Sequence, residues 1–195
     1  LFADMHGWGE RVLMTHKLHV VVTAIWIKIW DFSLYTVKTV VLPFTLFQIW
    51  LFRLHSRKTW LLTTLLFLCS GVIIRYTFVS RPEIAMASLG FLSWIALQRY
   101  NKGQSFKWLF LAAISAGATA LFHLQGVIYM SAGALWLLWV RQIKALIIFS
   151  IISFATFLLY FTDVVLYDAW GQYIYQISND PATTALRNVS EKINN

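Results

Sequence analysis

The sequence predicts an all-α, polytopic membrane protein with about six transmembrane helices and further helices at its outer face. Hydrophobic residues make up 59% of the 195-residue chain, and charged residues only 12%. A soluble domain usually has about twice that share of charged residues. The ten tryptophans and eight tyrosines favour aromatic belts at the level of the lipid headgroups. We therefore interpret the long apolar runs as membrane spans.

Six apolar runs approach the roughly 20 residues that a spanning helix needs. The fourth and fifth are separated by a short polar turn from His123 to Gly126, and a single broken helix is the alternative there. We expect an outer loop over 1–32, a transmembrane bundle over 33–165 and the start of another outer loop over 166–195. The predicted spans are 33–54, 59–78, 83–98, 107–123, 125–140 and 144–165.

Two further segments predict helices that lie in the membrane interface. Between Lys17 and Asp31 the chain is apolar, apart from a narrow stripe that includes Lys28. Such a stripe is typical of an interfacial helix, although a seventh span with Lys28 buried against a partner is the alternative. After Val165, apolar and polar side chains occupy separate helical faces, which predicts an outer amphipathic helix. Small residues between Ala112 and Ala120 predict close helix packing in the fourth span.

Positive charges determine the predicted orientation. The positive-inside rule places loops rich in Lys and Arg in the cytoplasm. Both ends of the chain, and the turn Arg81-Pro82-Glu83, then face the opposite, outer side. The net charge of +8 is explained as a topology signal, and we predict no nucleic-acid partner. Three loops contain eight bases and no acid: Arg53, Arg57, Lys58, Arg99, Lys102, Lys107, Arg141 and Lys144.

Charged residues on the predicted outer side indicate a site for a charged substrate. Charges in a membrane protein are costly and often functional. An enzyme that acts on a lipid-linked phosphate needs a carboxylate base, cations for the phosphate and a groove for the lipid tail. The outer side contains the carboxylates and cations, so the residue types fit this chemistry.

The histidines allow two interpretations. His16 and His19, near His6, Asp4 and Glu10, have a spacing that can place two imidazoles on one side of a helix, as in a metal site. We favour interfacial histidines near the headgroups, and we interpret His123 as a turn residue. We assign no metal ligands and no cofactor, and a divalent metal stays open as an alternative.

A series of short motifs carries a family resemblance. The series is Asp4, Thr15-His16-Lys17-Leu18, Lys28-Ile29-Trp30-Asp31-Phe32-Ser33 and Lys38. It resembles the first outer loop of the polytopic lipid-phosphate-sugar glycosyltransferases of the GT-C fold, the protein O-mannosyltransferase and aminoarabinose transferase group. The family's Pro-Pro pair is replaced by His16-Lys17, its glycine by Asp31 and its arginine by Lys38.

Arg81-Pro82-Glu83 resembles the family's arginine and acid before a span. The segment 116–126 resembles its Ala-Gly-x-x-x-Gly-Leu-Ala stretch.

The resemblance implies an inverting transfer of a sugar from a polyprenyl-phosphate donor to a glycan, lipid or protein acceptor. It implies a bacterial inner-membrane protein with its active site on the periplasmic or outer side. Asp4 is the candidate catalytic residue, for positioning the acceptor or the base. The candidate substrate-binding residues are Arg75 and Arg81 for the donor phosphate, Glu83 for orienting an arginine or the sugar, and His16, Lys17 and Lys28 for further phosphate contacts.

We expect the chain to be an internal fragment, because it opens on Leu1-Phe2-Ala3 without a methionine. The family's principal acid would then lie upstream of Leu1. Two other classes of function stay open. A transporter or flippase for a lipid-linked glycan would place polar groups near the middle of the bilayer, and a non-catalytic assembly subunit would tolerate charge substitution at Arg81 or Glu83.

Overall fold

The computed structural model describes residues 16–70 and 81–178, and all regular structure in these ranges is helical. The predicted all-α class is therefore confirmed. Short 3-10 turns at Leu124–Gly126 and Leu159–Phe161 interrupt the described helices. We number the α-helices of these ranges in chain order: α1 (Lys17–Trp30), α2 (Leu34–Thr39), α3 (Leu42–His55), α4 (Trp60–Leu68), α5 (Glu83–Gly103), α6 (Phe106–Phe122), α7 (Val127–Trp139), α8 (Ile143–Leu158), α9 (Thr162–Leu166) and α10 (Trp170–Ser178).

The first helices are separated by recognisable local signals. α1 ends before Asp31, whose positive φ of 62° leaves the helical region. Ser33 begins α2, and its hydroxyl oxygen accepts a hydrogen bond from the Thr36 amide at 3.0 Å, as an N-cap residue does. Pro43 lies in the first turn of α3, where its missing N–H costs nothing.

Helices α5 and α6 form an antiparallel hairpin. The buried Ser93 hydroxyl in α5 donates a 2.8 Å hydrogen bond to the Ala112 carbonyl in α6. Nearer the connection, the Arg99 guanidinium lies 4.6 Å from the centre of the Trp108 ring. Contacts thus pair later residues of α5 with earlier residues of α6.

Helix α7 runs parallel to α5 and is separate from α6. The rings of Trp94 and Trp136 meet edge to face at 5.5 Å, and Gly90, earlier in α5, faces the ring of Tyr129, earlier in α7. Helices α5 and α7 run in the same direction, and α6 runs in the opposite direction to α5. The chain must therefore reverse its direction at 123–126. The alternative of one broken helix across the fourth and fifth segments is therefore wrong.

The short connections collect at two ends of the unit formed by residues 16–160. The histidine end contains Arg81–Glu83 and the turn at His123–Gly126. The arginine end contains the loops around 53–58, 99–107 and 139–144, and a 2.8 Å hydrogen bond from Gln142 to Asn101 joins two of these loops. The three basic loops that we predict to be cytoplasmic thus belong to one end of the bundle.

The core lies where α6 packs against α5, α7 and α8. Ala112, Ala113, Ala116 and Ala120 are completely buried, in agreement with the small-residue pattern. A Cβ on Gly117 would lie 2.5 Å from a backbone carbonyl oxygen of α8. Close approach of these helix backbones therefore depends on the absence of side-chain bulk on α6.

Two described helical stretches are long and apolar enough to cross a membrane: Leu34–His55 and Ile143–Leu166. Phe106–Phe122 and Leu124–Trp139 are apolar but shorter. Large apolar side chains also point outward, including Leu66 at 67% and Ile151 at 63% exposure. Extensive exposed apolar surface is typical of a surface that meets lipid or a partner. These features support membrane association, whereas six spans and the GT-C arrangement stay predictions.

Residues 161–178 belong to a second compact unit. Within it, the Phe161 ring stacks on Trp170 at 5.8 Å and meets Tyr173 edge to face at 5.7 Å. Helix α10 buries Tyr173 and Gln176, whereas Ile174 is exposed. Because polar Gln176 is buried and apolar Ile174 is exposed, the interfacial position of this helix stays a prediction.

Candidate functional site

A polar cluster at the histidine end combines residues that are far apart in the sequence. His16 lies just before α1, His123 lies between α6 and the following turn, and Glu83 is the first residue of α5. The imidazole rings of His16 and His123 stack with their centroids 4.6 Å apart and their planes 22° apart. The Glu83 charge acts on both rings, and Arg81 contacts Glu83. We call His16, His123, Arg81 and Glu83 the histidine–glutamate cluster.

The turn after α6 fixes the orientation of His123. The His123 backbone is extended, and its Nδ1 accepts a hydrogen bond from the Gln125 amide at 3.1 Å. The Gly126 amide donates to the His123 carbonyl at 2.7 Å. The Thr119 hydroxyl shares its single proton between the Ala116 carbonyl and the Gly126 carbonyl, which lies 2.8 Å away. These bonds agree with the predicted turn histidine, and they also hold its ring against His16.

The hydrogen bond to Nδ1 determines which nitrogen of His123 carries a proton. In a neutral imidazole one nitrogen accepts and the other donates. Since Nδ1 accepts from a backbone amide, the proton of neutral His123 belongs on Nε2. Burial lowers the pKa of His123 below its usual 6.5, although the Glu83 charge opposes this shift. His123 is therefore a neutral Nε2–H donor near pH 7.

His16 is also held neutral. Burial is the main cause that lowers its pKa, and repulsion from His123 and His19 adds to the effect, whereas Glu83 opposes it. A stacked pair of imidazoles cannot easily take up two protons, because the two charges would be only a few ångströms apart. The pair therefore offers hydrogen-bonding nitrogens without adding positive charge to the cluster.

Glu83 supplies the negative charge of the cluster. An Arg81 Nη1 atom donates to Glu83 Oε1 over 3.4 Å, with both side chains at least a third exposed. An exposed pair at this distance contributes little stability. The other oxygen, Oε2, is buried and has no hydrogen-bond partner in the described part of the chain. A buried acceptor without a donor is costly, and a ligand hydroxyl group or cation would satisfy it.

Aromatic side chains lie near His19 and Lys17, at the same end of the bundle as the cluster. His19 is buried and its ring lies 6.5 Å from that of Phe122, which also meets Phe44 edge to face at 5.3 Å. The Lys17 Nζ atom lies 5.5 Å from the centre of the Tyr160 ring, a cation–π arrangement. Lys17 therefore adds a cation to the same end of the bundle.

The remaining predicted site residues are Lys28, Asp4 and Arg75. Lys28 is exposed, and the helical rise places it about 18 Å along α1 from His16, so α1 does not bring it to the cluster. Asp4 and Arg75 lie outside the described residues. Within the described ranges, no group of three or more His, Cys, Asp or Glu side chains is arranged to hold a metal ion. The metal alternative also involves His6 and Glu10, which lie outside those ranges.

His123 is the residue of this cluster that the sequence-based site prediction missed. Its partner His16 is remote in the sequence, and no local motif indicates that the two rings stack. No protein family, curated protein or solved structure matches the chain.

Proposed function

We propose that the chain is the donor-binding portion of a membrane glycosyltransferase that transfers a sugar, with inversion, from a polyprenyl-phosphate donor. The observation that carries the proposal is that Arg81 and Glu83 lie at the same end of an apolar helix bundle as the stacked pair His16 and His123, close enough for the Glu83 charge to act on both rings. The residue types match a phosphate attached to a sugar at a membrane surface.

Each group of the cluster has a role in this proposal. Arg81 holds the donor phosphate, because a guanidinium group forms strong, directed hydrogen bonds to phosphate oxygens. His123 donates from Nε2 to the same phosphate. Glu83 orients Arg81 through Oε1 and accepts a hydrogen bond from a sugar hydroxyl through Oε2. Lys17 adds positive charge on the lipid side.

The reaction itself needs a base and a stabilised leaving group. A carboxylate removes the proton of the acceptor hydroxyl, whose oxygen attacks the anomeric carbon as the bond from that carbon to the phosphate oxygen breaks. The polyprenyl phosphate leaves with the bonding electrons, and nearby cations stabilise its charge. We assign the positioning of the acceptor or base to Asp4 and a further phosphate contact to Arg75.

A transporter for a lipid-linked glycan is the second candidate function. It is favoured by Gln48, a buried residue within the candidate span Leu34–His55. Its Oε1 atom has no hydrogen-bond partner in the described ranges. Transporters place such polar groups near the middle of the bilayer. The ionisable side chains of the cluster lie instead at helix ends, which favours the enzyme.

The test is sugar transfer by the full-length protein that carries this segment. Polyprenyl-phosphate donors with labelled mannose or aminoarabinose are compared for wild type, Arg81→Ala and Asp4→Asn. Loss of a charged hydrogen bond to the phosphate should lower kcat/KM roughly 10- to 100-fold. Lys144→Ala, which removes an exposed charge at the arginine end, is the matched control.

Two results would contradict the enzyme. Unchanged rates in both site variants would remove the site assignment. Movement of the intact labelled lipid across the membrane without sugar transfer, abolished by Gln48→Leu, would favour the transporter.

A further inference from the structure

A polar cavity lies at the arginine end, opposite the histidine–glutamate cluster. Its volume is about 690 Å³, within the roughly 300–1,000 Å³ of typical ligand pockets. We call it the arginine cavity. It is lined by Trp50, Arg53, Leu54, Arg57, Trp60 and Arg99.

The charge of the arginine cavity is not neutralised by the described residues. The acidic residues of these ranges are Asp31, Glu83, Asp163 and Asp168, and none lines the cavity. Three arginines that line one cavity without a carboxylate repel one another. An anion between them would relieve that repulsion and accept their hydrogen bonds.

The arginine cavity is also partly preorganised. Arg99 lies over the Trp108 ring at 4.6 Å, which limits the freedom of its side chain. Arg53 and Arg57 come from the end of α3 and the loop that follows it, so the cations approach from two separate parts of the bundle. Arginine recognises phosphate through several parallel N–H donors.

Its surroundings favour a lipid over a free anion. Trp50 and Leu54 are exposed at the wall of the cavity, Trp50 to 50%, and the cavity lies at the end of the candidate span Leu34–His55. Tryptophan at such a position typically lies at the headgroup level of a membrane. A bound lipid would place its headgroup among the arginines and its chains along the apolar helix surface.

We propose that the arginine cavity binds the phosphate headgroup of an anionic membrane lipid. The binding steadies the arginine end of the bundle and is independent of the donor site proposed above. Basic pockets between membrane helices are suited to such headgroups, and each cation near the surface strengthens the attraction.

The test measures binding of short-chain phosphatidylglycerol to the full chain in a zwitterionic detergent, with phosphatidylcholine as the neutral comparison. We expect wild type to prefer phosphatidylglycerol, and this preference to weaken as salt is added. The double variant Arg53→Gln/Arg99→Gln should lose roughly 10- to 100-fold in affinity. Arg141→Gln is the matched control, since Arg141 belongs to the same end but does not line the cavity.

One further variant and one competition experiment complete the test. Arg57→Gln leaves the contact of Arg99 with Trp108 in place, so it reports on the cavity even if the double variant does not fold. Equal affinity of wild type, Arg57→Gln and the double variant for phosphatidylglycerol would overturn the proposal. Full displacement of the lipid by equimolar glycerol phosphate would identify a site for a free phosphate and overturn the lipid assignment.

Discussion

Replacing Gly126 with alanine should destabilise the turn that holds His123. The added Cβ would overlap the carbonyl carbon and oxygen of Thr119 and would lie 2.5 Å from the amide nitrogen of Ala120. These are backbone atoms within α6, so no side-chain rotation can remove the overlap. The turn would have to move away from the helix end.

The expected cost combines two effects. Overpacking of a well-packed site costs about 1–3 kcal/mol. Moving the turn also strains the 2.8 Å contact of the Thr119 hydroxyl with the Gly126 carbonyl, and a typical intramolecular hydrogen bond contributes roughly 1 kcal/mol. For a chain of this length we expect Tm to fall by roughly 4–12 °C.

The assay is thermal unfolding of the purified protein in detergent, followed by far-UV circular dichroism. Gly103→Ala is the matched control, because nothing lies within 4 Å of a Cβ there and alanine is the better helix former by up to about 1 kcal/mol. A Tm for Gly126→Ala equal to or above that of Gly103→Ala would refute the argument that this turn is sterically closed.

Three further predictions use the same unfolding assay. Tm should be level above pH 6.5 and should fall as the pH drops below it. The reason is that protonation of His16 and His123 is harder in the folded state than in the unfolded state. A double variant, His16→Gln/His123→Gln, with the same pH profile as wild type would contradict this. Ser93→Ala should cost about 0.6–1.7 kcal/mol, since it removes the buried bond to the Ala112 carbonyl, and a stabilised variant would argue against that bond. Gly117→Ala should cost about 1–3 kcal/mol, because its Cβ would lie 2.5 Å from a carbonyl oxygen of α8; a neutral effect would mean that the two helices separate easily.

The helical segments could be predicted well from the sequence. The first predicted span, 33–54, corresponds to the helical stretch Leu34–His55, and the fourth, 107–123, to Phe106–Phe122. Apolar runs bounded by polar loops are local signals, so they identify elements without knowledge of the fold. No local pattern decides the separation of the fourth and fifth segments, because it depends on how closely Gly126 packs on Thr119.

The candidate site could be predicted only in part. Arg81, Glu83, His16 and Lys17 were identified by their charge and their predicted side of the membrane, and the structure brings them to one end of the bundle. His123 was assigned to a turn alone. Its stacking on His16 arises from the packing of α1 beside α6, which no short sequence pattern encodes.

The sequence by itself determined the helical class, the approximate positions of the apolar helices and the grouping of the bases, because composition and spacing act over a few residues. Only the tertiary structure decided which helix ends lie close to one another. It stacked His16 on His123, set the Glu83 charge beside both and gathered three arginines around one cavity. These contacts join residues from different helices, so they exist only after the helices have packed.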